Sequence, residues 1–204
     1  MRYLIMLICI GSFLMTSAQP SDTLTKGQKD SIRIAGLFSK ASYPLIKTSK
    51  YSGVLPVSHV TEKPDPSMQY KLLMEDVIGI KDSTAAREIS DGLAEIGRII
   101  NLHIASGIPK NKLQVVAVVH GSALYALYTN ELYKKKYGVD NPNIVLINEL
   151  MKNGVKFIAC GQAMNFFEVR DEEMVPNIKI SLTAQTVLSN YQLKGFVLYA
   201  ITPN

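Results

Sequence analysis

From residue 70 onward, short apolar runs alternate with longer segments in which apolar residues recur every three or four positions. Short apolar runs are typical of strands and the longer period is typical of helices, so the pattern predicts βαβ units and a mainly parallel sheet. The predicted strands are Tyr70–Val77, Leu113–Val119, Val155–Ala159, Asn177–Leu182 and Phe196–Ile201. The fold class is therefore α/β, and right-handed crossovers put helices on both faces of the sheet.

Helices are predicted between these strands. They span Thr84–Ser106, Gly121–Tyr137, the stretch from Asn141 to Gly154, a short piece after Cys160, and Thr183–Lys194. In the longest helix, Ile89, Leu93 and Ile96 fall on one face of a 3.6-residue period, and Gly107 follows its last turn. This pattern leaves the order of the strands in the sheet open.

The start of the chain has a different pattern. Arg2 precedes an apolar run over Tyr3–Ile10, and the small residues Thr16 and Ala18 follow it. This arrangement predicts a secretory signal peptide over residues 1–18, with cleavage after Ala18. An uncleaved membrane anchor is the alternative, but the run is shorter than the roughly 20 residues that span a bilayer. We therefore expect a periplasmic or otherwise exported protein without stable membrane insertion after cleavage.

Residues 19–68 have weak periodicity, several glycines and prolines, and many Ser, Thr and Lys residues. We interpret them as a flexible leader followed by an extended segment, Tyr43–Val60, that lies on the domain. Lys63–Pro66 is a turn or linker. The α/β domain is then expected over residues 69–204.

Composition excludes several classes of function. An apolar content of 47% indicates a globular protein. The net charge of +5 is small and falls by one when Arg2 is removed, and the single basic run, Lys134–Lys136, is explained by a solvated helix end. Nucleic acid is therefore not an expected partner. The sequence has no GxxxxGKS/T loop, no GxGxxG motif and no zinc-ligand spacing, so no cofactor or metal is predicted.

Two polar residues come directly after apolar strands, His120 after LQVVAVV and Cys160 after VKFIA. Open α/β sheets bind ligands at the carboxyl ends of their strands. If the two strands are neighbours, the backbones at His120 and Cys160 are about one strand spacing apart, roughly 5 Å. Cleavage of the signal peptide removes Cys9, so Cys160 is the one thiol of the mature chain and no internal disulfide is expected.

Cys160 is followed by Gly161 and the predicted start of a short helix. The amides of Gly161 and Gln162 and the positive end of that helix would favour a thiolate, which is the nucleophilic form. Alternatively, Cys160 packs as a small hydrophobic residue, as free cysteines often do. His120 either serves this thiol as an acid or base or is a hydrogen-bonded structural residue.

Three short segments resemble the DsrE/DsrF-like sulfur-relay superfamily, and most closely its exported, single-chain branch. They are the strand end Val119-His120-Gly121, the strand end Ala159-Cys160-Gly161-Gln162, and the closing Leu193-Lys194-Gly195-Phe196. The resemblance implies a three-layer α/β/α fold with a five-stranded, mainly parallel sheet, and assembly into homotrimers or hexamers. In characterised relatives a cysteine at the position of Cys160 accepts sulfur as a persulfide and passes it to a partner protein.

Three hypotheses follow. In the first, the protein is a periplasmic sulfur carrier in which Cys160 is the nucleophile and His120 a neighbouring acid or base, with Gly121, Gly161 and Gln162 at the ligand-binding edge. In the second, it is a non-enzymatic, oligomeric module that binds a ligand or partner at the same edge. In the third, Cys160 is a redox sensor that forms a reversible disulfide. Whether the protein is an enzyme stays open.

Overall fold

A computed structural model describes residues 24–202 of the chain. The strands are β1 (Tyr70–Asp76), β2 (Leu113–Val119), β3 (Val155–Cys160), β4 (Lys179–Ser181) and β5 (Val197–Ile201). The α-helices are α1 (Lys26–Phe38), α2 (Asp91–Ala105), α3 (Asn130–Tyr137), α4 (Asn143–Lys152), α5 (Gly161–Phe166) and α6 (Ala184–Leu193). The chain divides into two compact units after Ala35, and the second unit contains the whole sheet. The predicted signal peptide lies outside the described residues, and no described helix has the length and apolar character to cross a membrane.

The five strands form one sheet in the order β4-β3-β2-β1-β5, and each of the four pairings is parallel. The predicted α/β class and five-stranded sheet are confirmed, and the sheet is wholly parallel. All five strands therefore end at the same edge of the sheet. Strands β2 and β3 are neighbours in register, with Val119 opposite Ala159. The residues that follow, His120 and Cys160, consequently lie next to each other along this edge.

Both faces of the sheet are covered, which explains why β2 is almost entirely apolar. Alternate residues of β2, such as Ala117 and Val119, join a large core with α2 and α4. The intervening residues Val116 and Val118 join a smaller core with Ala184 of α6. Helix α6 connects the edge strand β4 to the opposite edge strand β5 and contacts β1 and β2 on the way. The result is the three-layer α/β/α arrangement.

The predicted helix over Thr84–Ser106 is shorter in the structure. A 3-10 turn forms over Ala85–Arg87, and α2 begins only at Asp91. Ser90 separates them because its backbone angles, φ −53° and ψ 134°, are not helical. Apolar periodicity continued through this break, so the sequence pattern did not reveal it.

The predicted helix over Gly121–Tyr137 is also divided. Residues Gly121–Leu127 form a 3-10 helix, and Tyr128 then makes an antiparallel bridge with Met174 before α3 begins.

The fourth strand is shorter than predicted, because Asn177 has a left-handed φ of 71° that cannot continue a strand.

The leader contains helix α1, which the weak periodicity of residues 19–68 did not predict. Its residues are Lys26–Phe38, and none of their side chains is buried. Its apolar residues Ile32, Ile34 and Leu37 are exposed, and the polar residues and glycines around them favoured the interpretation of this stretch as a flexible leader.

One buried side chain makes four hydrogen bonds to the segment that follows α1. Asn101 on α2 accepts hydrogen bonds from the amides of Leu45 and Ile46, at 3.0 and 2.8 Å. Its amide group donates to the carbonyls of Ile46 and Ser52, at 2.7 and 2.8 Å. One asparagine thus satisfies four backbone groups of a segment whose own strand pairing is the isolated bridge between Ser42 and Val54.

We expect Asn101→Ala to lower the free energy of unfolding by roughly 3 kcal/mol, because it leaves several buried backbone groups without partners. Cleavage within residues 43–54 by a protease should become faster. Urea unfolding and limited proteolysis measure the two effects, with Asn190→Ala on the exposed side of α6 as the control. Equal stability and equal cleavage rates in the two variants would contradict this role of Asn101.

Candidate functional site

Three titratable or nucleophilic side chains lie on one face of the sheet, at the edge where the strands end. Cys160 belongs to the smaller core with Leu73 and Val118, which face α6. Glu75 and His120 follow Leu73 and Val118 by two residues, and side chains two apart in a strand lie on the same face. The row across neighbouring strands is therefore Cys160 on β3, His120 after β2, and Glu75 on β1.

The thiol of Cys160 is held at the start of α6. The residue is 5% exposed, and the backbone N–H of Ala184 donates to Sγ over 3.3 Å. Ala184 is the first residue of this ten-residue helix. Helix N-termini carry partial positive charge and unpaired N–H groups, so negative charge on the sulfur is favoured there.

His120 is held by two hydrogen bonds to β1. Its backbone N–H donates to the carbonyl of Asp76 at 3.2 Å, which extends the sheet by one residue. Its ring Nε2 is 2.9 Å from Oε1 of Glu75. Both side chains are about one-quarter exposed, so this pair is partly accessible to solvent at the edge of the sheet. No hydrogen bond joins His120 to Cys160 within residues 24–202 as the structure describes them.

Gly121, Gly161 and Gln162 serve the turns at this edge. Gly121 has a φ of 58°, which the reversal after β2 requires. A Cβ on Gly161 would be 2.5 Å from the carbonyl oxygen of Ser181, so glycine lets β3 and β4 approach there. The amide of Gln162 donates to the carbonyl of Leu182 at 3.1 Å. This amide therefore donates to the backbone just after β4 and not to the sulfur.

The amide that does contact the sulfur belongs to a different helix from the one that the sequence suggested. Sequence reasoning assigned this role to the helix directly after Cys160, because only that helix is adjacent along the chain. Cys160 pairs with Ser181 at the end of β4, and this pairing brings the start of α6 above the thiol. The sequence predicts that this helix begins at Thr183, but the proximity of that start to Cys160 depends on strand order.

The other face of the same edge holds a buried carboxyl group. Asp76 is fully buried beside Gly92 at the start of α2, where an added Cβ would collide with its carboxylate. Its Oδ1 accepts a hydrogen bond from the amide of Ile78 at 3.0 Å, and its Oδ2 has no partner among the described residues. Burial raises the pKa of Asp76 to about 7, although the hydrogen bond from Ile78 acts in the opposite direction.

No group of three His, Cys, Asp or Glu side chains in the described part of the chain is arranged to hold a metal ion.

Residues 83–199, more than half of the chain, match the DsrE/DsrF-like family. The chain belongs to the DsrE/DsrF-like family. Membership suggests a role related to sulfur relay. The matched residues include His120 and Cys160, whereas Glu75 and Asp76 on β1 precede them.

No curated protein matches the sequence of this DsrE/DsrF-like chain. Among solved structures, the chain is similar to MTH1491 from Methanobacterium thermoautotrophicum, a protein of unknown function. The two are 15% identical with a TM-score of 0.47, and the similarity covers 65% of this chain and 99% of that one.

Proposed function

We propose that this protein is a sulfur carrier that takes up sulfur as a persulfide on Cys160 and passes it to a second thiol. The observation that carries the proposal is the N–H of Ala184, which donates to Sγ of Cys160 over 3.3 Å. The position of this amide in the first turn of α6 favours negative charge on the sulfur. Because the thiolate is the nucleophilic form of cysteine, the contact supports sulfur chemistry at this residue.

The proposed transfer is an exchange between sulfur atoms. The thiolate of Cys160 attacks the outer sulfur of a persulfide donor, a new S–S bond forms at Sγ, and the S–S bond of the donor breaks. The bonding electron pair leaves with the donor, which becomes a thiolate. An acceptor thiolate then attacks the outer sulfur on Cys160 and regenerates the cysteine. The sulfur atom changes carriers without net oxidation, so no cofactor is required.

The first test is direct loading. Reduced protein without residues 1–18 is mixed with cysteine persulfide, the excess is removed, and the intact mass and the peptide containing Cys160 are analysed. We expect a gain of one sulfur atom on that peptide, and transfer of this sulfur to a small thiol added afterwards. Native protein that gains no sulfur, although the urea-unfolded protein does, would contradict the proposal.

A second test isolates the hydrogen bond to sulfur. Replacing Ala184 by lactic acid turns its amide N–H into an ester oxygen and leaves the side chain unchanged. Hydrogen bonds to charged groups contribute about 1.5–3 kcal/mol, so we expect loading at pH 7 to slow by about tenfold to a hundredfold. The same replacement at the exposed Asn190, with its hydroxy-acid analogue, serves as the control. Equal loading rates in both esters would show that the Ala184 contact has no part in the chemistry.

A second candidate function is supported by the burial of Cys160. At 5% exposure, the residue packs with Leu73, Val118 and Ile158 as a small hydrophobic residue does. The protein would then be a binding module that uses the same edge without a reactive thiol. Native protein whose thiol reacts with iodoacetamide only after unfolding would favour this module over the carrier.

We also propose that the protein is exported and works as a homo-oligomer. The pattern of residues 1–18 supports export. Largely exposed apolar side chains at Phe166, Leu182 and Leu193 support association, because such side chains often mark interfaces. N-terminal sequencing of the protein recovered from the periplasm and its mass in solution test these two proposals. A retained N-terminus or a strictly monomeric protein would contradict them.

A further inference from the structure

We propose that Glu75 is a positioning residue for His120, which makes His120 the base of the sulfur site with its Nδ1 nitrogen as the basic atom. This inference rests on the proposed function of Cys160 and assigns a role to a residue outside the part of the chain that matches the family.

The hydrogen bond determines the tautomer of His120. Nε2 of the ring lies 2.9 Å from Oε1 of Glu75. A carboxylate accepts hydrogen bonds and does not donate them, so Nε2 carries the proton that lies between the two groups. In a neutral imidazole the other nitrogen, Nδ1, then holds the free lone pair. The contact with Glu75 thus selects the nitrogen that is able to accept a proton.

The sheet brings this histidine to the sulfur site. The carbonyl of Asp76 accepts the backbone N–H of His120 at 3.2 Å, which fixes the backbone position of the histidine. Register places His120 beside Cys160, since Val119 lies opposite Ala159 on the neighbouring strand. Alternation puts the side chains on the face covered by α6. The base and the thiol therefore belong to the same face and edge.

Glu75 is itself well placed for this role. It lies between Val118 on β2 and Ala200 on β5, so small apolar neighbours flank it in the sheet. In the described chain its side chain makes one hydrogen bond, to His120, and about one-quarter of the side chain is exposed. A partly buried carboxylate stabilises the positive charge that appears on the ring when Nδ1 takes a proton.

The proton balance of the transfer follows from this arrangement. Nδ1 of His120 takes the thiol proton of Cys160, which leaves a thiolate and an imidazolium paired with Glu75. The thiolate attacks the outer sulfur of the persulfide donor, and the donor leaves as a thiolate. The imidazolium then returns its proton to that thiolate. Each proton and electron pair is thereby accounted for without a further reagent.

The first measurement concerns the ring and does not require sulfur chemistry. Long-range proton–nitrogen NMR spectra report the tautomer of each of the three histidines, and His120→Gln identifies the signal of His120. We expect the Nε2–H tautomer of His120 in the native protein and in Glu75→Gln, whose Oε1 still accepts the hydrogen bond. Glu75→Leu should give a mixture of tautomers. The exposed Glu62→Gln is the matched control.

The second measurement is the rate of persulfide loading on Cys160 at pH 7. We expect loading to slow about a hundredfold in His120→Gln and about tenfold in Glu75→Leu, which keeps the base but no longer orients it. Glu75→Gln should be intermediate, because it keeps the hydrogen bond and loses the charge. Glu62→Gln should match the wild type.

The outcomes separate the two proposals. Native protein that takes up no sulfur overturns the carrier function, and the tautomer measurement still tests the contact with Glu75. Sulfur uptake that is equally fast in Glu75→Leu and the control overturns the positioning role and leaves the carrier function standing. An Nδ1–H tautomer in the native protein also overturns the positioning role, because the proton would then lie on the wrong nitrogen.

Discussion

Cys160→Ser should abolish persulfide loading and leave the fold in place. Serine keeps an acceptor for the Ala184 amide in nearly the same position, so we expect a loss of stability below about 2 kcal/mol. It has no sulfur that could form an S–S bond with the donor, so the one-sulfur mass gain should disappear completely. Mass spectrometry after exposure to cysteine persulfide measures the loading, and urea unfolding measures the stability.

A relocated thiol provides the control for this variant. Ser189→Cys in the Cys160→Ser background puts the single thiol on the exposed side of α6, away from the edge. If the surroundings of Cys160 matter, this exposed thiol should load more slowly at pH 7 than Cys160 does in the wild type. Faster loading of the relocated thiol would mean that the site protects its cysteine and does not activate it.

Asp76→Asn should make the protein more stable than the wild type at alkaline pH. Burial raises the pKa of Asp76 to about 7, from 3.8 for an unperturbed aspartate. A group whose pKa is higher in the folded state favours folding at low pH, and that contribution is lost as the pH rises through the folded-state value. Ionisation of Asp76 therefore costs stability progressively between about pH 4 and pH 7. One pKa unit corresponds to about 1.4 kcal/mol, so the total cost is on the order of 4 kcal/mol.

The measurement is a comparison of two unfolding curves at several pH values. Asparagine has no proton to lose and keeps an oxygen for the amide of Ile78. Measured from pH 4.5 to pH 8.5, the stability of Asp76→Asn relative to the wild type should therefore rise up to about pH 7 and then level off. Asp140→Asn, at an exposed position, should show no comparable trend. A constant difference across this range would mean that Asp76 is already ionised at low pH in the folded protein.

The strands at the centre of the sheet were the most predictable part of the fold. LQVVAVV is apolar at nearly every position because both faces of β2 are covered, and this left a clear signal in the sequence. Cys160 and His120 could be placed at one edge for the same reason, since each follows such a strand. Parallel strands must end at a common edge, whatever their order.

The contacts of those two residues could not be predicted. The Ala184 amide reaches Cys160 only because β4 lies beside β3, and Glu75 reaches His120 only because β1 lies beside β2. Strand order is a property of the whole chain, and a single strand does not encode it. Glu75 also looks ordinary in the sequence, as one charged residue near the end of an apolar run. Asp76 follows it directly and faces the opposite layer, a difference that depends on where β1 begins.

The position of helix α6 also affects the rate at which Cys160 reacts. The helix packs on the face of the sheet that carries Cys160, and the amide of its first residue contacts the thiol. Cys160 is 5% exposed, so access of a donor to the sulfur depends on movements of this turn, and local openings of this kind have their own free energy, separate from global unfolding. Hydrogen exchange at the Ala184 amide and the reaction of Cys160 should then follow the same opening event. In that case, the stability of one helical turn would contribute to the rate of the proposed sulfur transfer.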